Sequence, residues 1–146
     1  MKCKITGENI KPFMTFGKMP LANGFLNSNE FDSEFFYEME VGFSEKVSLF
    51  QLNDFPNPKK IFNKKYPFYT GSSQYMINHF KDYAEWLKKD FLSNNSKLIE
   101  IGSNDGTFLR NFSNTNVDYI GIEPSESVAK QAIKNGIKTL NIFFNK

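Results

Sequence analysis

Gly102 and Gly106 bracket three small polar residues, Ser103, Asn104 and Asp105, between the apolar run "KLIEI" and a second apolar stretch that begins at Phe108. Glycines placed this way let the backbone approach a ligand closely and take up angles closed to residues with a Cβ. Two acids flank the loop. Glu100 lies two residues before Gly102, and Glu123 ends the next strand-like run, "VDYIGIE". A carboxylate about 20 residues beyond such a loop can accept hydrogen bonds from both hydroxyls of a ribose, and it would repel a 2′-phosphate.

The loop reads G-S-N-D-G and lacks the middle glycine of the dinucleotide fingerprint G-x-G-x-x-G, which weakens a pyrophosphate reading. An acid at Glu100 would oppose a diphosphate and suit an ammonium group. The pattern therefore favours a ligand with an amine, a carboxylate and a ribose, and S-adenosylmethionine has all three. The plain alternative is a glycine turn and a solvated acid with no ligand, since both features occur widely in α/β proteins.

The elements that must position these residues follow from the hydrophobic period. Met76, Phe80, Tyr83, Ala84, Leu87 and Phe91 recur at helical spacing behind Ser72 or Ser73 as N-cap, which predicts an amphipathic helix. "KLIEIG" predicts a strand buried on both faces. Phe108, Leu109 and Phe112 predict a short helix starting near Gly106, whose N-terminus would offer free N–H groups to an anion. Ser125 opens a further helix through Val128, Ala129, Ala132 and Ile133, stopped at Asn135 and Gly136, and "IKTLNIFF" supplies a third strand. Strand, helix, strand, helix, strand is the alternation of a parallel sheet.

Upstream the chain has a different character. Turn signals at Gly7, Pro12, Gly17, Pro20 and Gly24 separate short aromatic pieces, and "EFFYEMEVGF" and "KVSLFQL" read as short strands. "NDFPNPKK", residues 53–60, reads as a connector. The expected organisation is a small irregular module over 1–58, a linker and amphipathic helix over 59–96, and over 97–146 the first half of a Rossmann-like sheet.

Composition narrows the function classes. With 146 residues, 40% of them hydrophobic, and a net charge of +2, this is a globular sequence without the concentrated basic field that nucleic acid or an anionic membrane requires. It has no secretory signal and no run long enough to span a bilayer, and its single cysteine suits a reducing compartment. These features point to a cytoplasmic protein. The one histidine, His79, lies on the expected helix and is assigned to packing.

Read together, "EIGSNDGTFL" and "GIEPS" resemble the cofactor site of class I S-adenosylmethionine-dependent methyltransferases, specifically the nucleotide-sugar C-methyltransferases. "FGKMPLANGFL", "VSLFQL" and "YPFYTGSSQYMINHF" resemble that family's N-terminal module and linker helix. The resemblance implies that Glu100 meets the methionine amino group and that Gly102, Ser103, Asn104, Asp105 and Gly106 line the amino-acid end of the cofactor. It further implies that Glu123, followed by Pro124, holds the ribose. Tyr66 and Tyr69 fall where the family places a tyrosine near sugar or cofactor, and Tyr69 is preferred; a buried aromatic with a satisfied hydroxyl is the alternative for both.

The chain departs from that family in two ways. The family's module resembles a four-cysteine zinc domain, and its cysteine pairs would fall here on Cys3 and Thr6 and on Ser44 and Val47. One cysteine cannot hold a structural zinc, so no metal is expected, and the module should be held by its phenylalanines. The family's sheet also resembles seven strands in the order 3-2-1-4-5-7-6. Only three strands are legible here, which leaves one edge of "KLIEIG" bare.

Three readings follow. The first is an N-terminal, truncated portion of a sugar C-methyltransferase, inactive alone, whose full form acts on a nucleotide-linked sugar. The second is one half of a split enzyme completed by another chain at the bare edge. The third is a non-catalytic module that self-associates there. An NAD-dependent oxidoreductase is disfavoured by Glu100 and the missing glycine.

Overall fold

A computed structural model describes residues 1–53 and 56–145; Asp54 and Phe55 of the expected connector, and Lys146, lie outside the described residues. The chain forms two compact units, Met1–Ile61 and Phe62–Lys146.

The first unit is an antiparallel sheet of β1 (Pro12–Pro20), β2 (Phe36–Ser44) and β3 (Leu49–Leu52), in that order, followed by a single turn of helix, α1 (Pro58–Ile61). The glycine and prolines that read as separators in 12–20 instead lie in one strand. Gly17, at a φ of 68°, sits where the β1–β2 register slips between Thr15 and Lys18, as a bulge residue does. "KVSLFQL" is a strand only from Leu49. Glu45–Val47 form a 3-10 turn and Ser48 is left-handed at a φ of 49°, so the hairpin reversal takes the first half of the expected strand.

The phenylalanines do not hold this unit as expected. Phe13, Phe16, Phe25, Phe31, Phe36, Phe43 and Phe50 are all exposed, whereas Cys3, Val41, Ser44 and Gln51 are buried. Side chains alternate across a pleated strand, so three strands with no second layer leave many of them outside. What pins the N-terminal segment is Gln51, whose amide donates to Lys2 O at 2.9 Å and accepts from Lys4 N at 2.9 Å.

The second unit carries the α/β part. Helix α2 (Gln74–Asp90) is capped by Ser73, whose Oγ accepts from Met76 N. Strands β4 (Lys97–Ile101), β5 (Asp118–Ile122) and β6 (Thr139–Leu140) form a parallel sheet in the order β4-β5-β6, with helix α3 (Glu126–Lys134) between β5 and β6. This is a mixed α/β arrangement compatible with part of a Rossmann-like sheet. Phe80, Leu87 and Ala84 of α2 pack with Phe108, Leu109, Phe112, Tyr119, Ala132 and Ile137 into one core. Phe91 lies outside it, exposed with its ring against Trp86, and Ile133 of α3 is exposed as well.

Three expectations fail here for local reasons. Strand β4 is not buried on both faces: Leu98 packs into the core, but Ile99 and Ile101 are 60% and 58% exposed, because helices cover one face only. No α-helix starts near Gly106. Asp105 and Asn111 bond the backbone around Thr107 and Phe108, and only a 3-10 turn, Leu109–Phe112, forms. Residues with that habit favour turns, so the expected row of free helical N–H groups is missing. The third strand keeps just two residues, since Ile142 N bonds back to Leu140 O in a tight turn.

At the helix end the expectation holds. Asn135 caps α3, Gly136 takes a φ of 78°, and Ile137 N bonds to Ala132 O, so the chain reverses into β6. Among the described residues, no helix is long and apolar enough to cross a membrane.

Candidate functional site

The loop after β4 is built from alternating hand. Gly102 and Gly106 each sit at a φ of 76°, and Asn104 between them is left-handed at 51°. Gly102 N and Ser103 N both donate to Ile122 O, which ties the loop to the end of β5. Gly121 makes room for this. A Cβ there would lie 2.4 Å from Ser103 Oγ and 2.9 Å from Leu109 Cδ1.

Glu100 pairs in register with Gly121, and Glu123 lies two residues further along the same strand direction, so both acids project from one face of the sheet. Glu123 is buried. Its Oε2 accepts from Asn104 N at 2.9 Å and its Oε1 from Ser125 N at 2.7 Å, so it joins the loop to the start of α3. Each oxygen keeps a second acceptor position.

Glu100 has the opposite environment. Its Oε2 is buried with no partner, and burial first, then the charges of Asp105 and Glu123, push its carboxyl up to about 8. Ser103 Oγ and Ser125 Oγ are likewise buried without partners. The three orphaned atoms lie near the end of β4, at Glu100, and in the segments that follow β4 and β5, at Ser103 and Ser125 respectively. Buried polar atoms are rarely left unpaired, and a water, an ion or a ligand group is what ordinarily satisfies them.

The side chains of Asn104 and Asp105 are engaged by the 68–71 segment and by Thr107. Asn104 Oδ1 accepts from Thr70 N at 3.0 Å, and its Nδ2 donates to Phe68 O at 3.0 Å. Asp105 Oδ2 accepts from Gly71 N at 2.8 Å, while Oδ1 accepts from the amide and hydroxyl of Thr107. Of the loop residues expected to line a cofactor, Gly102 and Ser103 border the orphaned atoms. Gly106 packs on Ile137, 2.9 Å from where its Cβ would stand.

The two tyrosines part company. Tyr66 has its phenol raised by burial and then by the Glu123 charge, and Ser127 Oγ donates to its carbonyl at 3.1 Å. Tyr69 lines a separate cavity of about 320 Å³ with Asp105, Thr107, Arg110, Gln131 and Asn135, and neither Glu100 nor Glu123 lines it. His79 is on the exposed side of α2, stacked parallel to Tyr83 at 6.5 Å. Pro124 O accepts from Asn141 Nδ2 at 3.1 Å, as does Glu123 O at 2.8 Å. Sequence reasoning missed Asn141, Ser127 and Gly71. Of these only Gly71 leaves a trace, as a lone glycine in "YTGSS", and a Cβ there would meet Thr107 Oγ1 at 2.8 Å.

An adenosyl amino acid fits the residues of this site. The orphaned carboxylate oxygen suits an ammonium, the open space around Gly102 admits a ligand, and Glu123 has acceptor capacity left for hydroxyls. A structural zinc does not fit the first unit. Thr6 and Ser44 do gather at Cys3, and hydrogen bonds from Thr6, then Ser44, pull its thiol down to about 7. Ser44 Oγ donates to Glu8 Oε1 at 3.1 Å, and Val47 is exposed. One thiolate beside two hydroxyls is not a four-ligand Cys/His set, and no group of three His, Cys, Asp or Glu could hold a metal among the described residues.

The glycine loop, the two acids and the parallel strands lie together in the second unit. Residues 3–62 match the family described as "Putative zinc binding domain". Over 142 residues, 95% of this chain and 34% of the relative, the chain is 22% identical to the C-methyltransferase NovU of Streptomyces niveus. It is 38% identical over 68 residues to the tRNA (guanine-N(7)-)-methyltransferase of Mycoplasma mycoides, covering 45% of this chain and 30% of that one. It is 33% identical over 84 residues to the carboxy-S-adenosyl-L-methionine synthase of Nautilia profundicola, covering 56% and 32%. The chain thus spans about a third of the length of the curated relatives it matches. Kinship with methyltransferases is supported at low identity.

Proposed function

We propose that this chain supplies part of the cofactor site of an S-adenosylmethionine-dependent C-methyltransferase that acts on a nucleotide-linked sugar. The observation that carries the reading is the cluster at the ends of β4 and β5, where Glu100, with one oxygen buried and unpaired, and a backbone-bonded Glu123 share one face, and the hydroxyls of Ser103 and Ser125 are orphaned as well. The relative matched over 95% of the chain is named a C-methyltransferase, which supports the choice of methyl acceptor atom.

In this reading Glu100 binds the ammonium, Gly102 and Ser103 border the amino-acid end, and Glu123 receives the ribose hydroxyls. The cofactor, when bound, supplies an electrophilic methyl group. Bonds to a charged acceptor contribute about 1.5 to 3 kcal/mol each, so the two acids are enough to select the ligand. Tyr66, held neutral by burial and by Glu123, is an orienting hydroxyl rather than a base. His79, stacked on Tyr83 at the surface, is not a base for this site. The chain on its own is therefore expected to bind without turning over, and the proton-abstracting group comes from residues in addition to these.

One observation favours a specific form of that addition. The outer edge of β4 pairs with no strand among the described residues, and Ile99 and Ile101 beside it are exposed. A further strand, from the same protein or a complementing chain, would pair that edge, and an element packed on the open face would cover both side chains.

Thermal unfolding with S-adenosylhomocysteine or NAD tests the ligand class. S-adenosylhomocysteine at 100 times its Kd stabilises a protein by about 2.7 kcal/mol, a rise of about 10–20 °C for a unit this small. NAD should leave the midpoint in place. A rise with NAD and none with S-adenosylhomocysteine would contradict the proposal.

A further inference from the structure

We propose that Asn104 and Asp105 are positioning residues: they clamp the aromatic arm of residues 66–72 across the ends of β4 and β5, so that a ligand on the 102–106 loop also tightens the arm. The last clause rests on the adenosyl amino acid reading, and the clamp itself does not.

The bonds in question are not those of an ordinary turn. Small polar loop residues commonly cap their own backbone, and Asn104 does so once, at Asp105 N. Its other bonds, and that of Asp105 to Gly71, reach 34 to 36 residues back in the chain. They take the amide of Thr70, the amide of Gly71 and the carbonyl of Phe68 in succession, so the arm's backbone groups are satisfied by the loop's side chains. Gly71 can come this close only because it has no Cβ, which would sit 2.9 Å from Asp105 Oδ2. A third fastening, Ser127 Oγ to Tyr66 O, fixes the arm's near end to the first turn of α3.

The same loop residue is wired to the acid. Asn104 N donates to Glu123 Oε2 while its side chain holds Thr70 and Phe68, and its left-handed backbone makes both possible at once. A ribose that competes for or reorders the Glu123 oxygens must therefore act on Asn104. Tyr66, which feels the Glu123 charge, is carried on the arm that Asn104 fixes. Loop, acid and arm form one connected set, in which Asn104 is the shared member.

Amide hydrogen exchange on the 15N-labelled 146-residue chain tests this, with and without S-adenosylhomocysteine. Asn104→Gly is the informative variant, because glycine accepts the positive φ while the clamp and the local bond to Asp105 N are removed. Without ligand, the Thr70 amide should exchange about tenfold faster in Asn104→Gly than in the parent, while Gly71, still held by Asp105, and Gly121 in β5 keep their protection. Asp105→Ala, which removes the acceptor for Gly71, should give the converse, with Gly71 faster and Thr70 unchanged. With ligand, the parent should gain protection at both the loop and Thr70. Asn104→Gly should gain it at the loop alone, a split that mere loss of stability would not give.

The outcomes separate. Ligand protection confined to the loop in the parent overturns the coupling and leaves the cofactor reading intact. Thr70 exchanging as fast in the parent as in Asn104→Gly overturns the clamp. Failure of S-adenosylhomocysteine to bind, with the variant effect still present, sinks the methyltransferase reading and the coupling while supporting the clamp.

Discussion

Phe112→Ala is expected to destabilise the second unit by about 3–5 kcal/mol, the range for emptying a fully buried aromatic site. Phe112 is fully buried, sits edge-on to Phe108 at 5.3 Å, and belongs to the core that joins α2, β5 and α3. It ends a four-residue 3-10 turn, which is too short to persist without its packing. The loss would also reach the site, since Leu109 of the same turn packs on Gly121 beside Ser103, and Arg110 N bonds to Gly106 O. Urea unfolding followed at Trp86 on α2 gives the number. A cost below about 1 kcal/mol would mean that the core drawn here does not hold the loop.

The second large effect is on pH. Glu100 is held protonated up to about 8 by burial and by Asp105 and Glu123, against an ordinary value of 4.5. Between those values the folded state binds more protons than the unfolded one. Stability of the second unit is therefore full below about 4.5 and is lost as pH rises through about 8. Ligand binding runs the other way. An ammonium needs the carboxylate ionised, and the ionised fraction climbs from about one in a hundred at pH 6 to about one half at pH 8. Affinity for S-adenosylhomocysteine should thus improve by about fifty-fold over that range. Glu100→Gln should flatten the profile and remove the loss of stability. A flat profile in the parent protein would show that Glu100 does not meet a cation.

The loop was legible in sequence because its needs are local. Gly102 and Gly106 are required where φ is positive, and an acid beside a turn after an apolar run is visible without knowing the fold. The use of Asn104 and Asp105 was not, because their partners lie at Phe68, Thr70 and Gly71, and no period links the two stretches. Gly17 shows the same limit from the other side: a glycine that suits a turn also suits a bulge, and pairing with β2 decides between them. The phenylalanines of the first unit promised a core that three strands cannot enclose. Tyr66 and Tyr69 were indistinguishable as residues, and only the fold sets one near Glu123 and the other in a different cavity.

Two carboxylates acting together on one ligand define the proposed site, and calorimetric titration of S-adenosylhomocysteine into the parent chain, Glu100→Gln and Glu123→Gln addresses that directly. With folding of each variant checked by its amide spectrum, the parent should bind at pH 8 and each variant should lose about tenfold or more, the scale of one charged hydrogen bond. Equal affinity in all three proteins, or no binding to a folded parent, would contradict it.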